Sequence, residues 1–224
     1  MQIRWKIAQM AERIWWKRYL KNKNLDAYLT WKKKYWLQLL QTCRIDDILK
    51  NDGVIADLGC GPAGIFMVFD HPKIYAIDPL LDSYDADLEH FTKSDYPNVT
   101  FLNAGLEDVN LPQKIDYLFC MNVINHVQNF EKCYDNMTLI LADTGTLVIS
   151  IDAHNYSFFK KLFRLLPGDI LHPHQYDLKE YQEKLTSRNF KITSTTQLKS
   201  EFFFSHYVIV AHKKKKVVFN FESS

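Results

Sequence analysis

The residues able to do chemistry begin at Asp57. The segment Asp57-Leu58-Gly59-Cys60-Gly61-Pro62-Ala63-Gly64 spaces three glycines as G-x-G-x-x-G behind an acid. It follows an apolar run, Val54-Ile55-Ala56, and so sits where a strand turns into a helix. Glycines there permit a tight turn and let a ligand approach the backbone with no Cβ in the way. Taken alone, the spacing of Gly59, Gly61 and Gly64 fits a dinucleotide loop equally well. Asp57 separates the two readings, because a carboxylate beside the loop repels a pyrophosphate and favours a cationic ligand. A second acid, Asp78, closes the run Ile74-Tyr75-Ala76-Ile77, 19 residues after Gly59. A carboxylate at a strand end can accept hydrogen bonds from both hydroxyls of a ribose.

These residues resemble the class I S-adenosylmethionine-dependent methyltransferases, and the resemblance covers roughly residues 50–212. It implies a Rossmann-like α/β fold with a mostly parallel seven-stranded sheet, helices on both faces and an antiparallel C-terminal hairpin. It assigns Asp57, Gly59, Cys60, Gly61 and Gly64 to the methionine end of the cofactor, and Asp78 with Pro79 to the ribose. In the family the third strand ends with an acid for the adenine amino group. Here Asn103-Ala104-Gly105-Leu106-Glu107-Asp108 places Gly105 at that position. Leu106 is then expected to cover the adenine face, with Glu107 as an acid slightly later.

Cys120-Met121-Asn122-Val123-Ile124-Asn125-His126-Val127 resembles the C-M-E-x-x-E-H-V segment of the ubiquinone-pathway O-methyltransferases. Both glutamates of that pattern are asparagine here, Asn122 and Asn125, while His126 is kept. Loss of the carboxylates removes hard-ion ligands, so no metal is expected. Asn122 is taken as a cofactor contact. His126 is a candidate base, its alternative being a histidine that only packs and hydrogen-bonds. The loop Leu166-Pro167-Gly168-Asp169-Ile170-Leu171-His172-Pro173-His174-Gln175-Tyr176 offers two further imidazoles, His172 and His174, and the Tyr176 phenol. His154 and Tyr156 follow the fifth strand at its C-terminal end, the side where open α/β sheets bind ligands.

The elements that must hold these residues read as alternating strands and helices from Gly53 onward. A helix is expected from the glycine loop to about Phe69, and strands over 73–77, 99–103, 116–121 and 146–151. Helices are expected over 130–141, 157–166 and 177–188. Strands over 190–195 and 203–212 have too short a link for a parallel crossover, so they form a hairpin. Residues 1–50 are different. Two helical patterns run through them, the first with Ile3, Ile7, Met10, Ala11, Ile14, Trp15 and Tyr19 on one face. All five Trp lie there, and twelve Lys/Arg against four Asp/Glu give a net +8, while the rest of the chain carries −6. We expect residues 1–50 to form an N-terminal helical lid within the same domain, 51–212 the cofactor-binding domain and 213–224 a basic tail. Trp15, Tyr19 and Tyr28 are the expected aromatic walls for a flat or greasy acceptor.

Composition bounds the rest. The chain has 224 residues, 47% of them hydrophobic and 24% charged, which suits one globular domain and excludes a disordered chain. Four cysteines with no C-x-x-C pair, and a charged N-terminus without a signal-like apolar core, lead us to expect reduced thiols and a cytoplasmic location. The charge distribution lacks the basic stripe of a nucleic-acid binder, so no nucleic acid is expected. The function expected is methyl transfer from S-adenosylmethionine to a small aromatic or hydrophobic acceptor, oxygen favoured over nitrogen or carbon, with S-adenosylhomocysteine as product. The competing readings are a nicotinamide oxidoreductase, a methyltransferase acting on protein or RNA, and an inactive cofactor-binding partner protein. The N-terminal helices also offer a dimer contact or a weak contact with a membrane surface.

Overall fold

Short, almost wholly apolar segments build the centre of the sheet, as strands covered on both faces must. They are β1 (Ile55–Leu58), β2 (Ile74–Ile77), β3 (Val99–Leu102) and β4 (Ile115–Cys120), all parallel. The computed structural model describes residues 2–155 and 176–214, with only the backbone of residues 2–4. Strand β5 (Leu141–His154) continues parallel to β4, and β7 (Phe204–Lys213) and β6 (Phe190–Ser200) close the sheet as an antiparallel pair. The order is β3-β2-β1-β4-β5-β7-β6. The strand order runs outward from β1 to β3 on one side and continues from β4 on the other, so the switch between β1 and β4 puts a crevice at their C-terminal ends, where such sheets bind ligands.

Helices α1 (Gln2–Leu20), α2 (Leu25–Thr42) and α3 (Leu81–Asp87) lie on one face. Helices α4 (Phe130–Ile140) and α5 (Leu178–Thr186) lie on the other. Asn24 caps α2 by accepting from the Ala27 N–H (3.0 Å), and Asp177 with Glu180 makes a reciprocal capping box on α5. The parallel order and the C-terminal hairpin match the sequence reading. Strands β5 and β6 are longer than expected because each pairs with β7 along its length, β5 from Thr146 opposite His212 to His154 opposite Phe204.

Two expectations are corrected. The glycine loop does not lead into an α-helix ending near Phe69. It leads into two short 3-10 turns, Gly61–Ala63 and Ile65–Val68. Pro62 supplies no N–H to a ladder, and the Gly64 backbone is extended between the turns. The space is taken by α2, whose Trp36 Nε1–H donates to the Ala63 carbonyl (3.0 Å). Tyr28, Trp36, Leu39 and Leu40 of α2 are buried in the same cluster as Ile65 and Phe66. Helix α2 is therefore a layer of the core, and α1 alone has the position of a cover.

The second correction concerns α1. The apolar face read from the sequence divides: Ile7, Met10, Ile14 and Trp15 are exposed, while Tyr19 turns to the body. The side facing the body carries Trp16, Tyr19 and Leu20. The Tyr84 hydroxyl donates to Glu12 (3.1 Å), and Asp87 holds Arg13 and Lys17 in an ion-paired pair of contacts. Tyr156, His172 and His174, the expected helix over 157–166 and the tail beyond residue 214 lie outside the described residues.

Candidate functional site

Side chains alternate along β1, so Asp57 shares the face of Ile55 and points toward α2. Its carboxylate Oδ2 accepts the Phe66 N–H (3.2 Å), and Gly64 lies against it. Asp57 therefore holds the second turn in place from beneath the loop. Above it the chain doubles back tightly. The N–H groups of Gly59 and Cys60 both donate to the Ile77 carbonyl (2.7 and 3.1 Å). Gly59 sits at φ +67°, and a Cβ there would overlap Val123, so the turn excludes any side chain. Gly61 is also left-handed, at φ +57°, but its face is open: a Cβ would meet only Trp16, at 3.7 Å. A ligand resting on Gly61 therefore touches the Trp16 indole.

Asp78 lies across the loop at the end of β2. Its Oδ1 accepts from Leu80 N–H (2.8 Å) and its Oδ2 from Gly61 N–H (3.1 Å). Each oxygen keeps one acceptor direction, enough for a pair of ligand hydroxyls. Pro79 follows, half-buried. Both acids are deeply buried, Asp57 at 1% and Asp78 at 6% exposure. Burial pushes Asp57 up to about 7, against the pull of the Phe66 and Ile65 N–H groups and of Lys32. Burial, then repulsion from Glu12, pushes Asp78 up to about 7, moderated by Leu80 and Gly61. Lys32 is drawn down to about 8 by its own burial, with Asp57 opposing. Its ammonium rests over the rings of Trp36 (4.6 Å) and Tyr35 (5.0 Å). Three carboxylates thus converge on the glycine loop, two of them held uncomfortably. A ligand bearing positive charge and two vicinal hydroxyls would relieve that strain, so this chemistry fits S-adenosylmethionine.

The other expected residues divide. Asn122, at φ +59°, is exposed at the end of β4. Its N–H donates to Ser150 Oγ (2.6 Å), and that hydroxyl donates back to Asn122 Oδ1 (2.9 Å). Asn125 is buried, donating from Nδ2 to the Asp152 carbonyl (3.1 Å). The two asparagines strap the β4 loop to β5. His126 is exposed beside them, its backbone N–H on Val123 O (2.8 Å). Glu107 is occupied: Oε1 accepts the N–H groups of Gln128 (2.9 Å) and Asn129 (3.2 Å) at the start of α4. Leu106 is buried in the cluster under α4. His154 is buried against Phe204, and its N–H donates to the Tyr176 carbonyl (3.0 Å). Tyr176 packs on Phe130 and Tyr181. These two stand at the β5 end of the crevice, apart from the glycine loop.

On the α1 side, Trp15 stacks on Tyr19 (4.8 Å), and Tyr19 meets Tyr28 edge-on (6.2 Å). Tyr28 itself is buried. The residue that reaches the loop is Trp16, one position from the expected Trp15. The sequence reading also missed Glu12, Lys32, Tyr84 and Ser150. Glu12 carried a signal, as the one acid among the five basic residues of α1. Among the described residues no group of three or more His, Cys, Asp or Glu is gathered as a metal ion would need.

Comparison with known proteins agrees with this geometry. The family described as "Methyltransferase domain" matches residues 49–203. A ubiquinone biosynthesis O-methyltransferase of Rickettsia bellii is 28% identical over 102 residues, which are 45% of this chain and 42% of that protein. The chain thus spans less than half the length of the curated relative it matches. Magnesium protoporphyrin IX methyltransferase from Synechocystis PCC 6803, solved with S-adenosylhomocysteine bound, superposes with a TM-score of 0.59 at 16% identity, over 92% of this chain and 95% of that one. The 1,6-didemethyltoxoflavin-N1-methyltransferase of Burkholderia thailandensis gives a TM-score of 0.56 at 13% identity, over 92% and 90%. With the family model matched over residues 49–203, more than half of its length, the chain belongs to the methyltransferase-domain family.

Proposed function

We propose that this chain is an S-adenosylmethionine-dependent methyltransferase, that its methyl acceptor is a small hydrophobic or aromatic molecule and that the atom methylated is an oxygen. One observation carries this reading: the Trp16 indole stands in front of Gly61, backed by a run of aromatic contacts. From Trp16 it runs through Tyr19 (5.8 Å) and Tyr28 to Trp31 (5.9 Å). Flat rings give a flat acceptor large contact area at little entropic cost. The relatives support it. The curated one is an O-methyltransferase of ubiquinone biosynthesis, which favours oxygen; the two structural neighbours, named for magnesium protoporphyrin IX and for N1 of 1,6-didemethyltoxoflavin, favour a flat acceptor and not the atom.

Bound S-adenosylmethionine supplies an electrophilic methyl group. The chain's share is positioning and exclusion of water. Gly61 leaves room against its backbone, Asp78 offers two acceptor directions, and Asp57 fixes the turn beneath. An acceptor hydroxyl must also lose its proton. His126, exposed at the end of β4, is the imidazole the described residues offer for it.

The test has two stages. S-adenosylhomocysteine at a hundred times its dissociation constant should raise stability by about 2.7 kcal/mol in a thermal-shift assay, with NADH inert. Transfer from radiolabelled donor to a panel of phenols, amines and activated-carbon acceptors then identifies the atom. Labelled amines with unlabelled phenols would overturn the oxygen assignment.

A further inference from the structure

Helix α1 is apolar on two sides, and only one of them is used by the fold. The inner side packs Trp16, Tyr19 and Leu20 against the body. The outer side leaves Ile7 45%, Met10 58% and Ile14 42% exposed, at the i, i+3, i+7 spacing of a single stripe. Trp15, 52% exposed, edges that stripe. Its stack on Tyr19, and the contacts of Tyr19 with the buried Tyr28 and of Tyr28 with Trp31, join it through one aromatic cluster to α2, where Trp31 is 51% exposed. Isolated surface apolar residues need no explanation, but a contiguous aromatic and aliphatic patch marks an interaction site.

Charge identifies the partner. Lys6, Arg18, Lys21 and Lys23 are exposed on the same helix and the turn after it, with Lys23 lying over the Tyr19 ring (4.4 Å). Residues 1–50 carry a net +8 against −6 for the remainder. A second copy laid face to face on this stripe would bring two +8 segments together. An anionic surface would be attracted by them. Among the described residues no helix is long and apolar enough to cross a membrane. A helix with an apolar stripe, flanking Lys/Arg and tryptophans at its edges lies in the interfacial plane of a bilayer.

We propose that the outer face of α1, continued by Trp31, docks this protein on an anionic lipid surface. The opposite side of the same helix carries Trp16 in front of Gly61 and Glu12 beside Tyr84. Docking therefore places the glycine loop about one helix diameter, ~10 Å, from the lipid. A hydrophobic molecule dissolved in the bilayer then reaches the crevice without crossing bulk water.

The test is co-sedimentation of the full chain with vesicles of phosphatidylcholine alone and with 30% phosphatidylglycerol, at low and high salt. Three proteins are compared: wild type, Ile7→Asp/Ile14→Asp on the stripe, and Lys6→Glu/Arg18→Glu/Lys21→Glu beside it. All changed positions are exposed, and an unchanged thermal transition checks folding. Wild type should bind anionic vesicles more than tenfold better than neutral ones, lose that preference in high salt, and show quenching of tryptophan by brominated lipid. Each variant should lose at least tenfold in binding. Absence of wild-type binding to anionic vesicles at low salt overturns the proposal. So does stripe-variant binding equal to wild type, which would leave only nonspecific charge. A concentration-dependent dimer abolished by Ile7→Asp/Ile14→Asp would assign the face to a second copy instead.

Discussion

The two buried acids make cofactor binding a titration. Asp57 and Asp78 are held up to about 7, first by burial and then, for Asp78, by Glu12. A sulfonium and an ammonium brought to the loop favour the ionised carboxylates, so both acids fall on binding and protons are released. A group at about 7 is about nine-tenths protonated at pH 6 and about one-tenth at pH 8, so each such group weakens binding about tenfold at pH 6 relative to pH 8. Two independent groups give about a hundredfold. Mutual repulsion between Asp57 and Asp78 couples them, so the macroscopic steps belong to the pair. The sign is opposite for the ligand-free fold. A carboxyl raised above its ordinary value stabilises the folded chain at low pH, and that stability is lost between about pH 4 and about pH 7. Cofactor should therefore bind more tightly, and shift the melting temperature more, at pH 8 than at pH 6. Calorimetry in two buffers of different ionisation enthalpy measures the proton release directly, with about one proton expected at pH 7 if both acids ionise. The ligand's own amino group titrates nearby. It cancels in the difference between wild type and Asp78→Asn, which should release fewer protons and show a flatter pH dependence. Identical profiles for the two proteins would refute the assignment of Asp78.

Three further outcomes follow from the same geometry. Gly59→Ala combines a left-handed backbone with overlap onto Val123; it should cost more than about 2 kcal/mol and lower the melting temperature by at least about 5 °C in a scanning experiment. Removal of residues 2–20 should leave a folded protein that binds cofactor and fails to transfer the methyl group. Removal through residue 42 should yield no cooperative unfolding transition, because Tyr28, Trp36, Leu39 and Leu40 leave the core with it. Full turnover after exhaustive chelation is expected, since Asn122 and Asn125 spend their side chains on Ser150 and Asp152; activity restored only by a divalent ion would contradict that.

Much of this fold is legible because its signals are local. Strand-sized apolar runs, the glycines at 59 and 61 and the acid at 78 each act through their own stretch of backbone. The structure places Gly61, Asp78 and the β4 end around one crevice. The missing crossover helix was less visible. Ile65-Phe66-Met67-Val68 is apolar enough for a helix, and only the tertiary fact that α2 occupies that layer confines it to a 3-10 turn. Glu107 shows the same limit. Its acidity invited a ligand role, while its carboxylate holds the start of α4 from 21 and 22 residues away. Asp57 is an intermediate case: the sequence puts an acid at the end of β1, and the contact it makes is with the loop backbone, accepting the Phe66 N–H.

Helix α1 was misread for a physical reason. Amphipathic reasoning assumes one apolar side and one polar side, and assigns the apolar side to the core. Here the stripe of Ile7, Met10 and Ile14 is more regular than the scattered Trp16, Tyr19 and Leu20. The regular stripe defined the face read from the sequence, and the scattered residues are the ones packed on the body. What turns the helix is polar chemistry: Glu12 accepting from Tyr84, and Arg13 and Lys17 held by Asp87. Asp87 lies in α3, whose position depends on the Asp78–Leu80 turn before it. The orientation of α1 is therefore set from the cofactor-binding end of β2. Charge change at Asp78 and the seating of Trp16 over Gly61 then act on one connected set of groups: Glu12, Tyr84 and Asp87. On this view cofactor binding and closure of α1 are linked, and Asp87→Asn should weaken methyl transfer more than it weakens cofactor binding.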